Sequence, residues 1–525
     1  MNTTRSLLLV LLVATVISAQ DTRKRVLINE VQKAPRILAE AAMRIEIDTS
    51  TSDNNFKSGN ALVNKYIFAK KLIIRAAAYY KSALKVINPT TTISFAEFDT
   101  IHPDRKVPGR NNVNADLFVV FNAYNDDKST TAASAAPISQ DSTTGRTIVG
   151  DFNVNLVSIN PTKANELNHF GTFVHEFYHI IVFNDQLFSR YIDGSGNVIG
   201  KSTIIGSFTG GSKTFNTYKG TNVLTFAKTY LGDTSLTEIL LENGGGSGSA
   251  GSHWEYMYFP TDFMSPIDTI PSILSKLSLL MAKDSGWYNI DETFTEEMTY
   301  AKGVGSGFMT GNCPAASVKG FCASGDNGKA MCSPDYTYKA RCYTDNTYSD
   351  GCYFLQGDYY CNVDDVAYYK SQNKIDDTFE VLGDSSRCAD LTFNSEQRAS
   401  CGTATCASNV ITWNFKNGAS CSCTVAQQGT TGTCTGYTGS INCPADVAGF
   451  CNTLSARCPK DCSGKGFCLG GSGTRTCFCM YGYGGTDCST NNPNEPDLTP
   501  IQGSGNSMIY GLALSLVLSI MLVLF

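Results

Sequence analysis

The first 312 residues contain no cysteine. That excludes a disulfide-braced front half, so whatever folds there folds on a hydrophobic core. Histidine is scarce, with five in 525 residues. No block or stripe of Lys and Arg runs through the body of the chain, and the net charge is −6. This excludes the electrostatic footprint of a nucleic-acid binder. No Gly-x-Ser-x-Gly elbow occurs, so a serine esterase is not indicated. Long apolar runs are missing except at the two ends.

What is present is unevenly placed. All 20 cysteines lie between Cys313 and Cys488. An even number packed into one third of the chain predicts disulfides made in an oxidising compartment. Leu7 to Ile17 is apolar but for one Thr, and Ser18-Ala19-Gln20 follows. The expectation is a signal peptide over residues 1–19. Arg23-Lys24-Arg25 then reads as a processing site or as a solvated face. Met508 to Phe525 is an uncharged apolar tail behind the small residues Gly503 to Ser507. That order predicts a glycosylphosphatidylinositol attachment signal at the cell surface, the alternative being a C-terminal transmembrane helix.

The organising stretch is Val174-His175-Glu176-Phe177-Tyr178-His179. His-Glu-x-x-His on a helix stacks the two imidazoles one turn apart on one face. They can share a metal ion, with Glu176 beside them to take a proton from a metal-bound water. Two helical histidines can also be plain surface residues. Phe170, Val174, Phe177 and Ile181, however, follow a 4-3-4 spacing, which predicts a buried amphipathic helix. Burial leaves imidazoles in need of partners.

Around that helix the chain reads as α+β, a sheet against helices. Arg44 to Asp48 alternates as a strand. Leu62, Tyr66, Ala69, Ile73, Ala76, Tyr80, Ala83 and Ile87 predict one long helix closed by Asn88-Pro89. Asp116–Phe121 and Thr147–Leu156 are strand candidates. Asn184 to Ala250 reads as a long insertion of loops and short strands. Ile267 to Trp287 reads as a helix with Pro271 early in it. An open zinc site needs a third protein ligand. His253, after the run Gly244-Gly245-Gly246-Ser247-Gly248, is the candidate, with His102 and His169 as competitors. His169 falls off the ligand face of the helix; spacing does not exclude His102.

The run Gly251-Ser252-His253-Trp254-Glu255, then Asp262-Phe263-Met264-Ser265-Pro266, resembles the leishmanolysin family of metzincin metallopeptidases. So do Asp284-Ser285-Gly286-Trp287, Asn114 to Val119 and Arg146 to Gly150. The resemblance covers roughly residues 44–361. It implies a metzincin-like catalytic domain, one zinc ion on His175, His179 and His253, Glu176 as general base, and Met264 as the apolar floor below the ligands. It also implies peptide hydrolysis of extracellular proteins. Residues 20–312 would be catalytic, with the insertion at 184–250. The substrate would lie extended along an edge strand at Arg146 to Phe152. One departure stands out: metzincins have Gly three residues after the second His, where this chain has Val182. Valine disfavours positive φ, so the helix is expected to run on or to turn differently there. That departure feeds the alternative reading, a catalytically impaired adhesion protein on a metzincin scaffold. With no cysteine in the front half, no pro-segment thiolate can cap the zinc.

Behind the catalytic part, fourteen cysteines over residues 313–455 predict a disulfide-rich, loop-rich domain. The six from Cys458 to Cys488 have the spacing of an EGF-like module at 456–489. Residues 490–507, rich in Asn, Pro and Gly, read as a stalk.

Overall fold

The computed structural model describes residues 39–100, 106–305, 307–345, 347–394, 396–471, 475–495 and 497–499. The leader, the basic cluster at 23–25, His102 and the apolar tail lie outside them. The front half is built on four strands, β1 (Ile45–Asp48), β2 (Leu117–Tyr124), β3 (Ala133–Gln140) and β4 (Thr147–Asn155). Their order in the sheet is β1-β2-β4-β3. β2 runs parallel to β1 and β4, and β3 runs antiparallel to β4. Strands buried on both faces read as unbroken apolar runs, and β2 is such a strand. Its Leu117, Val119 and Phe121 face the main core with Phe152 and Val154 of β4. Phe118 and Val120 face a second, smaller core with Ile93, Phe95 and Ile148. The α+β class expected from the sequence is the one observed.

Two helices cover the main face, α1 (Val63–Ala83) and α2 (Lys163–Ile181). α1 stops one turn short of the predicted end. From Leu84 the chain turns extended and Leu84–Ile87 becomes a strand between Glu40–Ala42 and Tyr288–Ile290. Within the strand the buried residues are Leu84 and Val86, two apart, while Ile87 is only half-buried. Val86 and Ile87 are β-branched, which favours extended backbone, and Asn88 ends the strand at φ +55° ahead of Pro89. α1 and α2 meet through Tyr80, whose hydroxyl donates to the Val174 carbonyl at 2.7 Å. α2 lies tight on the sheet at Gly150, where a Cβ would stand 2.3 Å from Ile180 Cγ2.

Three expectations need correcting. The substrate edge is not Arg146–Phe152. β4 is paired on both sides, with β2 and β3, and is wholly buried. The sheet's edges are β1 and β3, and β3, Ala133–Gln140, carries Pro137, which such a position tolerates. The helix over 267–287 is only Lys276–Asp284. Residues 262–275 run instead through turns, bends and isolated bridges, and Pro266 and Pro271 lack the amide that a helix interior needs. The 184–250 insertion contains a helix, Thr221–Leu231, besides the short strands. Its Ser/Thr/Asn-rich surface hid Val223, Ala227 and Leu231, which bury at four-residue spacing. The Asp284 carboxylate accepts from the Asn222 and Val223 amides at 2.7 and 3.2 Å, capping its first turn.

The rear third holds a three-stranded antiparallel sheet (Ala330–Cys332, Tyr338–Thr344, Tyr353–Tyr360) and a closed six-stranded barrel from Ser386 to Asn442. All twenty cysteines pair. Seven bonds lie within Cys313–Cys451. Three lie within Cys458–Cys488, joining Cys458 to Cys468, Cys462 to Cys477 and Cys479 to Cys488. None crosses between the two groups. The start of the expected stalk does not leave the body. Glu495 pairs with Arg75 of α1 at 3.0 Å, both mostly buried, and the exposed Asp497 reaches Lys71.

Candidate metal centre

Helix α2 presents His175 and His179 at i and i+4, as its sequence predicts. The third imidazole arrives from a loop. Leu241 bridges Trp254, and the Glu242 amide donates to the His253 carbonyl at 2.9 Å, so residues 240–242 and 253–255 form a short ribbon. The glycine-rich turn between them closes on Glu242, whose carboxylate accepts from the amides of Gly244 at 2.6 Å and Tyr256 at 3.1 Å. Gly245 and Gly246 both take φ near +75°, which a side chain would resist. The ribbon brings His253 onto the open face of α2.

The three Nε2 atoms converge. They stand 3.0 Å (His175–His179), 3.1 Å (His179–His253) and 3.2 Å (His175–His253) apart. Each Nδ1 is 2.6 to 2.9 Å from a main-chain carbonyl: Phe263 for His175, Phe183 for His179 and Ser249 for His253. A carbonyl only accepts, so each Nδ1 carries the proton and each Nε2 is left as a bare lone pair. Three lone pairs facing one another with no donor between them repel. A Lewis acid removes that repulsion, and tetrahedral zinc at its usual bond length sets nitrogens about 3.3 Å apart. The residues therefore fit a zinc ion. Burial first, then the neighbouring imidazoles, holds His175 down to about 3 and His253 well below the usual histidine range; burial holds His179 to about 4. All three are neutral at neutral pH, as ligation requires.

Glu176 is buried beside the triad. Burial, then the Asp268 carboxylate, pushes its carboxyl up to about 8, against an opposing hydrogen bond from the Ala135 amide of edge strand β3. A dication at the triad would draw it back down. Asp268 is held by the Thr172 hydroxyl at 2.8 Å.

Met264 is fully buried, and its carbonyl accepts from the Trp254 amide at 3.2 Å. The turn it sits in is built by Asp262. One carboxylate oxygen accepts from the Met264 amide at 2.7 Å and the Ser278 hydroxyl at 2.6 Å, and the other accepts from Ser275. Ser278 in turn accepts from the Trp254 indole at 2.7 Å. The turn is thus bonded to the residue after His253, and its Phe263 carbonyl aims His175. The roles of Asp262, Phe263, Phe183 and Ser249 escaped the sequence reading. They act through main-chain groups or through partners distant in sequence, which leave no local pattern.

His169 does not join the site. Its Nε2 accepts from the Asn160 amide at 3.1 Å, and its ring packs edge-on against Phe68. His102 lies outside the described residues. Val182 ends α2 at φ −156°, with no positive φ needed. Its amide and that of Phe183 both donate to the Tyr178 carbonyl, at 2.9 and 3.0 Å. This turn delivers the Phe183 carbonyl to His179.

The chain is 27% identical over 173 residues to a leishmanolysin homolog of Crithidia fasciculata, covering 33% of this chain and 25% of the relative. It is 26% identical over 239 residues to a leishmanolysin-like peptidase of Drosophila melanogaster, covering 39% and 35%. With leishmanolysin of Leishmania major it shares 27% over 170 residues, covering 30% and 26%. These alignments span about a quarter to a third of the relatives' length. The leishmanolysin peptidase family profile matches residues 62–462, most of the chain. On that match, and with the triad and its turn in place, the chain belongs to the leishmanolysin family.

Proposed function

We propose that this protein is a zinc metalloendopeptidase that cuts extracellular proteins at the cell surface. The observation that carries the reading is the convergence of three proton-free Nε2 atoms beside the buried Glu176. His175, His179 and His253 would hold the zinc. Bound there, it would supply a Lewis acid that polarises the scissile carbonyl and acidifies a water. Glu176 accepts the proton of the attacking water and returns it to the leaving amine. A substrate in extended form adds to the edge strand β3, which places its backbone across the triad. The Met264 turn holds His175 at its working orientation through the Phe263 carbonyl.

Export, a lipid-anchored C-terminus and an EGF-like character for Cys458–Cys488 belong to the same proposal. The self-contained pairing of those six cysteines supports the last of these. Among the described residues no helix is long and apolar enough to cross a membrane. The alternative of a catalytically impaired adhesion protein draws on Val182, yet that valine ends α2 at negative φ and its turn delivers the Phe183 carbonyl to His179.

Cleavage of an unbiased peptide mixture tests the proposal, with Glu176→Ala beside wild type at matched zinc content. Cutting by wild type alone supports it. If both proteins carry zinc and neither cuts, the peptidase assignment is wrong.

A further inference from the structure

The family match ends at Cys462, yet the chain beyond it enters the catalytic core. Gly466–Leu469 and Thr476–Cys479 form a hairpin in which Phe467 sits opposite Phe478. Both rings pack on Phe170 of α2, at centroid distances of 5.1 and 6.0 Å. Phe170 is fully buried and precedes His175 by five residues. Its other described ring contact is Tyr79 of α1, at 6.5 Å. Phe478 also meets Tyr79 at 5.8 Å and lies under the Arg75 guanidinium at 4.1 Å. The hairpin is clamped in place. The Gly470 amide donates to the Thr295 carbonyl at 2.8 Å, Arg475 pairs with Glu297 at 2.9 Å, and Cys458 and Cys462 tie both strands to the preceding loop.

α2 is therefore gripped between the sheet and this hairpin. Two of the three zinc-ligand candidates ride on α2, while the third, His253, rides on a separate loop. A tilt of α2 moves two nitrogens relative to the third, and sites of this kind tolerate only about 0.5 Å of such error. We propose that Phe467 and Phe478 are positioning residues for the metal centre, acting through Phe170 on the helix that carries His175 and His179. The inference rests on the metallopeptidase reading above and deepens it. The cysteine-rich tail is part of the catalytic apparatus, and a front half without it would hold its metal poorly.

The test uses the full-length chain, zinc-loaded, with Phe467→Ala, Phe467→Val and Phe467→Leu. Phe415→Ala serves as control; it empties part of the remote barrel core, where Phe415 stacks on Phe379 at 4.4 Å. Zinc loss to a colorimetric chelator is followed well below the lowest melting temperature of the set, and kcat and KM are measured on one quenched peptide. Loss of an outer support weakens metal binding by about 10-fold or more. Phe467→Ala should release zinc faster by that factor and lose kcat at unchanged KM. Phe467→Val should fall between, and Phe467→Leu should restore most of the wild-type behaviour. Phe415→Ala should melt earlier yet keep its zinc as wild type does. Should the alanine variant not be secreted, the valine variant alone decides. Zinc release and kcat equal to wild type in the Phe467 variants overturn the proposal, as does equal acceleration in Phe415→Ala. A wild type that neither binds zinc nor cuts overturns the metallopeptidase reading instead, so the two failures are distinct.

Discussion

The His179 Nδ1 and the Phe183 carbonyl oxygen stand 2.7 Å apart, four residues along one chain. The bond exists because α2 stops at Ile181 and Val182 swings out at negative φ. Phe183 then donates to Tyr178 five residues back and turns its own carbonyl onto the imidazole. A β-branched residue makes this turn with no positive φ.

Val182→Gly is therefore expected to leave the site as it is. Zinc content and kcat/KM should stay within about twofold of wild type, while stability falls by about 2–3 kcal/mol, from the lost buried side chain and the looser unfolded chain. Thermal melting beside steady-state kinetics checks this. A large gain in kcat/KM would show that valine strains the site.

Gly150→Ala should destabilise by about 1–3 kcal/mol, the range for overpacking. The new methyl would meet Ile180 Cγ2 at 2.3 Å, where α2 lies on the sheet. Ile180→Val removes a neighbouring methyl group. A denaturant double-mutant cycle should show the pair less unstable than the sum of its parts.

His169 gives an acid-sensitive term. Burial lowers it to about 4, so the folded protein keeps it neutral. Below its unfolded value near 6.5 the unfolded chain binds the proton and the folded chain does not, so stability declines as pH falls from about 6.5 to 4. Above that window the contribution is fully present. The shift corresponds to at most about 3 kcal/mol. In His169→Gln, urea midpoints measured from pH 7 to pH 4 should lose this slope, while zinc content at pH 7 is unchanged.

Chelation should separate activity from fold. The triad is carried by elements that pack in the main core, and ten disulfides brace the rear. Removing zinc should abolish cleavage, lower the melting temperature and leave the far-UV spectrum intact. Collapse of the spectrum on chelation would mean that the metal organises the fold itself, as in zinc fingers.

The sequence determined by itself whatever depends on neighbours along the chain. The i, i+4 geometry of a helix made His175, Glu176 and His179 legible, and the 4-3-4 spacing of Phe170 to Ile181 told which face was buried. The crowding of cysteines behind residue 312 announced disulfides in the rear alone. Tertiary structure decided what depends on residues far apart. Whether β3 or β4 is the sheet edge follows from which strands pair, and no alternation within Thr147–Asn155 encodes it. That His253 reaches the triad while His169 turns to Asn160 follows from a ribbon closed by Glu242. That a hairpin past residue 465 reaches the site helix follows from Phe467 and Phe478 packing on Phe170, residues about 300 apart in sequence. Local periodicity is a property of backbone geometry, whereas partners are chosen by the shape of the whole core, which exists only once the chain has folded.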